Sequence, residues 1–211
     1  QSDWPTKPVR LVVPFPAGGG ADLGARVVSV HLGSAFGKPV VVENRAGASG
    51  NIGTQFVATA APDGYTLVLA FDGTMVINPH VFAKVPFDTL ADFAPVGKIG
   101  DATLVLVAHP SFAAKTVKDL VALCKADPGK VSFGSAGAGS AQHLALEMFK
   151  LQAQVETIHV PYKGSGPLLI DLIGGQIQYS FETMTAATPH VKTGKVVALA
   201  QTRARRAKGH P

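Results

Sequence analysis

Apolar residues in this chain come in short runs, and between the runs they recur at helical spacing. Residues 9–13, 39–43, 66–71, 103–108, 130–133, 156–160, 176–181 and 196–200 read as strands, rich in β-branched side chains and bounded by turn formers. The stretches 22–36, 50–60, 116–126, 140–151, 167–173 and 186–193 read as helices. Their alternation predicts an α/β fold built on mostly parallel sheets flanked by helices. The unbroken run Leu104-Val105-Leu106-Val107 predicts a strand covered on both faces. Asp22 and Ser140 suit helix N-caps, Gly37 and Pro128-Gly129 suit helix stops, and Pro62-Asp63-Gly64 suits a turn. One βαβαβ set ends near 97–101 and a second begins there, which predicts a boundary between two lobes.

Each set contains a strand that empties into a glycine turn and then a helix. The first is Val9–Val13 followed by Pro14-Phe15-Pro16-Ala17-Gly18-Gly19-Gly20-Ala21-Asp22. The second is Val131-Ser132-Phe133 followed by Gly134-Ser135-Ala136-Gly137-Ala138-Gly139 and Ser140. Such turns aim backbone N–H groups and the positive end of a helix dipole at one point, so each predicts a site for an anion. Two of them, one per lobe, suggest a ligand gripped between the lobes, a common location for small-molecule sites.

The anion has rival identities. Gly18, Gly20 and Gly24 after the first strand, with Glu43 about twenty residues on, approach a dinucleotide-binding pattern, and so does Gly47-Ala48-Ser49-Gly50-Asn51-Ile52-Gly53. Against it stand Pro14 and Pro16 in the turn, the irregular glycine spacing, and the lack of a hydride-transfer pair: Tyr162 and Lys163 are adjacent rather than three or four apart. An NAD(P)-dependent oxidoreductase therefore stays as the alternative. A nucleotide-binding loop of the Walker type is excluded, since no Gly-Lys-Ser/Thr follows either turn.

Composition narrows the partners. The 211 residues allow one or two domains, and no apolar run approaches the length of a membrane span. Arg203, Arg205, Arg206 and Lys208 account for four of the net charge of +5, and no basic stripe interleaved with aromatics remains, which argues against nucleic acid. Cys124 stands alone in a helical pattern and reads as a small buried hydrophobe. The seven histidines are scattered, with no metal-ligand spacing, so no metal or cofactor is expected. His143 lies one turn after Ser140, where it either binds a ligand or satisfies the helix start, with the second favoured. Asp72, Asp101, Asp171 and Glu182 form no close pair for acid–base work, and an enzyme is not expected. Arg26 reads as a solvated helix residue, although Arg26 and Arg45 offer charge near the first turn.

Taken in order, Trp4-Pro5-x-Lys7-Pro8-Val9-Arg10, Pro14-Phe15-Pro16-Ala17-Gly18-Gly19, Val42-Glu43-Asn44-Arg45-x-Gly47-Ala48-x-Gly50, Pro62-Asp63-Gly64-Tyr65 and Asn78-Pro79 form one set of motifs. Gly134-Ser135-Ala136-Gly137-x-Gly139-Ser140-x-x-His143-Leu144, Val160-Pro161-Tyr162-Lys163-Gly164 and Gly194-Lys195-x-x-Ala198-Leu199-Ala200 continue it. Together they resemble the solute-binding receptors of tripartite tricarboxylate transporters, the Bug or TctC-like family, over nearly the whole chain. The resemblance implies a two-lobed periplasmic-binding-protein fold of type II-like build. It implies a periplasmic receptor, its signal peptide absent from this chain and taken as removed. Such a receptor closes on a dicarboxylate, tricarboxylate or aromatic acid and delivers it to membrane permease subunits, without inserting into the membrane itself.

Carried over residue by residue, the resemblance points to Phe15, Ala17, Gly18, Gly19, Ala21 and Asp22 in lobe one, and to Phe71, Asp72, Gly73 and Thr74 in the next ligand-facing loop. In lobe two it points to Ser135, Ala136, Gly139, Ser140 and His143, with Tyr162, Lys163 and Glu182 as weaker matches. Phe15, Phe71 and Phe181 would flank the body of the acid, or simply pack the core. The family's chain runs on and returns to complete the first lobe, whereas this one stops at Gly209-His210-Pro211. The resemblance thus implies lobe one over 1–100, incomplete and missing that C-terminal return, and lobe two over 101–211, in either a shortened variant or a fragment. An interaction protein that keeps the shape without binding a solute is the third reading.

Overall fold

The computed structural model describes residues 3–205, so Arg206, Lys208 and the terminus at Gly209-His210-Pro211 lie outside the described residues. The chain divides into two compact units, Gln1–Gly100 and Asp101–Pro211.

In the first unit β1 (Val9–Val13), α1 (Gly20–Phe36), β2 (Val40–Asn44), α2 (Asn51–Ala58) and β3 (Thr66–Val68) follow one another, and a short α3 (Asn78–Val81) comes after a π-helical turn over Gly73–Ile77. The strands form a parallel sheet of order β2-β1-β3. β1 takes the centre because four of its five residues are apolar and buried, with only Arg10 exposed. Leu11 and Val13 pack with Ala25 of α1 and with Leu69, while Val40, Val42 and Leu67 close the same core from the neighbouring strands. Gly37 ends α1 in the left-handed conformation, φ 64°, as its position predicts. Asp22 is not the N-cap expected of it: α1 opens two residues earlier, after Gly19, and Asp22 lies in the first turn.

The second unit runs β4 (Leu104–Ala108), α4 (Val117–Ala126), β5 (Ser132–Ser135), α5 (Ala141–Ala153), β6 (Ile158–Pro161), α6 (Ser165–Ile173), β7 (Tyr179–Thr183), α7 (Met184–Lys192) and β8 (Val197–Gln201). Its sheet has the order β6-β5-β7-β4-β8. Four strands share one direction, and β4 runs against both neighbours, β7 and β8. All five residues of β4 are buried. Leu104, Leu106 and Ala108 face a core with Leu120, Cys124 and Leu146, while Val105 and Val107 face Leu168, Leu172, Ala186 and Ala187. The apolar run therefore reported burial on two faces correctly, but burial carries no information about direction. Thr116 caps α4 in a capping box with Asp119, and Ser140 caps α5. Burial pushes the Cys124 thiol up, as suits a packing residue.

Candidate functional site

In a parallel sheet the loops that follow the strands all leave from one edge, and that edge is the usual place for a ligand. In the first unit these are the loops after β1, β2 and β3. Register pairs Val13 with Asn44, which sets the Asn44 side chain beside the first glycine turn. Asn44 Nδ2 donates to Phe15 O at 3.0 Å and to Asp22 Oδ1 at 2.9 Å. Asp22 Oδ2 accepts from Gly18 N at 3.0 Å and from Arg26 Nε at 2.9 Å. Burial of the Asp22 carboxyl works to raise its pKa, but the hydrogen bonds from Arg26, Gly18 and Asn44 and the Arg26 charge outweigh it, and the carboxyl lies below its ordinary value. The first anion in this turn is thus the chain's own. Asp22 holds the turn's shape, Arg26 is its partner rather than a purely solvated residue, and the first-turn amides of Gly20 and Ala21 are left without an acceptor inside the helix.

The loops after β2 and β3 meet the first. Phe15 and Phe71 pack edge to face with ring centres 5.9 Å apart. Residues 47–50 all have positive φ, at 139°, 45°, 53° and 91°, and two of them, Ala48 and Ser49, are not glycine. This costly conformation is held by two donors onto Ser49 O, Thr74 Oγ1 at 3.0 Å and Asn78 Nδ2 at 3.0 Å. Asn78 Nδ2 also donates to Asn51 Oδ1 at 2.7 Å. At Gly50 a Cβ would lie 2.4 Å from Thr74 Oγ1 and 3.3 Å from Phe15 Cζ, so the close approach of these loops needs glycine there. Asp72 is exposed and accepts from the neighbouring Gly73 N at 2.8 Å, opening the π-helical turn. Ala17 and Gly18 are exposed on the first loop, Gly19 is buried, and Ala21 packs toward the core.

In the second unit the glycine loop after β5 is braced by side chains. Ser135 is fully buried; its Oγ donates to Gly137 O at 3.2 Å, accepts from Gly137 N at 3.2 Å, and lies 2.6 Å from His159 Nε2. Gly139 N donates to His143 Nδ1 at 3.1 Å, and His143 N donates to Ser140 Oγ at 3.2 Å. The rings of His143 and His159 stack 4.0 Å apart and nearly parallel. Burial, and then the neighbouring His143, push His159 down to about 4, so it is neutral at pH 7. A serine 2.6 Å from a histidine resembles a nucleophile and its base, but this hydroxyl is enclosed and taken up in shaping the loop. Ala136 is buried too, and Ala138 is the loop's exposed position. His143 is thus bonded to both the loop and the helix start.

Two of the weaker candidates stand apart from this loop. Tyr162 N donates to Ser135 O at 2.9 Å, yet its hydroxyl donates to Asp171 Oδ2 at 2.8 Å, and burial together with that carboxylate pushes it to about 12. Lys163 is exposed. Glu182 is fully buried, and its Oε1 accepts from Ser165 Oγ at 2.7 Å, Thr183 N at 2.9 Å and Gln142 Nε2 at 3.0 Å. Those donors stand at the first residue of α6, the N-cap of α7 and the first turn of α5. Phe181 packs in the core with Phe133 and Phe149.

Asn44, Asn78 and the 47–50 turn stand in motifs that the resemblance used, without being read as site residues. His159, Gln142 and Ser165 gave no local signal, because their partners lie 24, 40 and 17 residues away.

A family model described as a tripartite tricarboxylate transporter family receptor matches residues 24–211. Protein BugT of Bordetella pertussis is 41% identical over 198 residues, covering 93% of this chain and 61% of that protein. The structure of Rpa4515 from R. palustris with adipate superposes with a TM-score of 0.94 at 36% identity, covering 96% of this chain and 68% of that one. MatC (Rpa3494) from Rhodopseudomonas palustris with bound malate gives 0.91 at 30% identity, covering 96% and 69%. The chain spans about 60% of the length of the curated relatives that match it along most of its own length. Among the described residues no helix is long and apolar enough to cross a membrane.

Proposed function

This chain belongs to the tripartite tricarboxylate transporter receptor family, and we propose that it serves outside the cytoplasm as a solute-binding protein, taking up a small carboxylic acid and passing it to the transporter's permease. One observation carries this reading: each unit has a strand, a glycine loop and a helix N-terminus whose shape is held by side-chain contacts, from buried Asp22 and half-buried Asn44 in one and from buried Ser135 with the half-buried stacked histidines in the other. Loops braced in that way hold an anion through backbone amides and give it up again, because no full counter-charge is committed to it. A hydrogen bond to a charged group contributes about 1.5–3 kcal/mol. Three to five of them contribute about 5–15 kcal/mol before the cost of association is subtracted.

The proposed contacts are the backbone of Ala17, Gly18, Gly19 and Ala21 with Phe15, Phe71, Gly73 and Thr74 from the first unit, and Ala136, Gly139 and Ser140 from the second. Asp22, Ser135 and His143 brace these loops. Relatives with adipate and with malate support a dicarboxylate. Calorimetry on the native protein with adipate, malate, a tricarboxylate and an aromatic acid tests it. At least one acid is expected to bind near the micromolar range, with binding lost when Gly18 or Gly139 is replaced by valine. Silence from the whole panel sinks the proposal.

A further inference from the structure

Glu182 is a puzzle that the ligand reading does not use. Its side chain is fully buried on the face of β7 opposite Val105 of β4. Three donors converge on Oε1, from Ser165, Thr183 and Gln142, while Oε2 is buried with no partner. Gln142 shows the mirror defect: its Nε2 donates to Glu182 Oε1 at 3.0 Å, and its own Oε1 is buried with no partner. Two oxygens that can only accept, on two side chains already joined by one hydrogen bond, are what remains of an acid–amide pair when its proton is left out. Buried acceptors left unpaired destabilise the fold.

We propose that Glu182 is held as a neutral carboxylic acid, its Oε2–H donating to Gln142 Oε1 and closing a two-bond ring with that amide. The proton comes from solvent as the unit folds, and the glutamate charge disappears with it. Three donors reach Oε1, but among the described residues no cation stands beside the group to hold a carboxylate ion against its burial. β4 presents Val105, β5 presents Gly134 on the face shared with Ser180 and Glu182, α6 presents Ser165 and α7 begins with Met184. On the same elements His143 is bonded to Gly139 and stacked on His159, Asp171 is bonded to Tyr162, and His190 and Lys192 lie in the last turn of α7. Burial raises the pKa of Glu182, and no charged group offsets it. Asp22 in the first unit is the counter-example, a buried carboxylate with an arginine 2.9 Å away.

Protonation needs no ligand, so each test is run on the unliganded protein, and failure leaves the transport reading untouched. Unfolding in weak buffer at about pH 6 is expected to release close to one more proton from the wild type than from Glu182→Gln, since an unfolded glutamate is ionised there. Infrared spectra at neutral pH are expected to show a protonated-carboxyl C=O band that Glu182→Gln lacks and that Gln142→Met shifts. Should Glu182→Gln fail to fold, the band in the wild type still decides. Equal proton release, or no such band, overturns the proposal; a band indifferent to Gln142→Met overturns the ring.

Discussion

Among the described residues two carboxyl groups are buried, one in each unit, and their surroundings are opposite. Asp22 is 2% exposed and Glu182 is 0% exposed, and each draws donors from a helix start. Asp22 divides its donors between both oxygens and has Arg26 beside it, so its carboxyl stays ionised and below its ordinary value. Glu182 gathers its donors on one oxygen, has no cation beside it among the described residues, and is pushed up by burial. Similar donor counts thus stabilise an ion in one unit and an acid in the other. What separates them is one arginine, and whether the second oxygen has a donor facing it or an acceptor.

The sharpest way to break the contrast is Asp22→Ala, which leaves Gly18 N–H without its acceptor and Asn44 Nδ2 with only Phe15 O. A loss of about 3 kcal/mol in the stability of the first unit is expected, read by denaturant titration. Next is Gly53→Ala. Its Cβ would meet Arg45 O at 2.6 Å and Pro14 Cα at 2.8 Å, both backbone atoms that cannot turn away. A loss of about 2 kcal/mol follows from such overpacking, and it would show that the first unit's loops depend on close approach as much as on charge.

The pH profiles should then run in opposite senses. A depressed carboxyl contributes stability above its unfolded value and loses it as pH falls, so the Asp22 contribution fades below about 3.8. A raised carboxyl contributes most below its unfolded value and loses ground as pH climbs, so the Glu182 contribution declines above about 4.5. Thermal melts of Asp22→Asn and Glu182→Gln should remove the acid limb and the alkaline limb respectively. Ser140→Ala is expected to cost about 1 kcal/mol, the worth of one N-cap. Arg26→Gln should have the smallest effect at neutral pH, since that side chain is half exposed, but it should move the Asp22 limb toward the ordinary carboxyl value.

The outline of both units could be read from the sequence because each strand is an apolar run and each long helix has a periodic face. Thr66–Val68 is shorter than its apolar run, although Leu69 N still donates to Val12 O at 2.9 Å and its side chain packs in the core. The turn over Gly73–Ile77 and the helix at Asn78 escaped notice, being too short to show a period. The glycine turns were legible as anion seekers, but not that Asp22 already fills part of the first. A side chain that reaches back four residues to Gly18 looks the same in sequence as one that caps. The Glu182 cluster was beyond reach for another reason: its members come from two helices and a strand, and folding alone brings them together.

The single tryptophan and the single cysteine fall in different units. Trp4 packs against Phe36 and Tyr65 with ring centres 5.1 and 5.8 Å away, so its fluorescence follows the first unit. Cys124 is sealed beneath β4 and β5, so a thiol reagent can reach it only while the second unit is open. The molecule thereby carries its own pair of independent clocks, and the order in which its halves come apart can be timed without attaching a label to either.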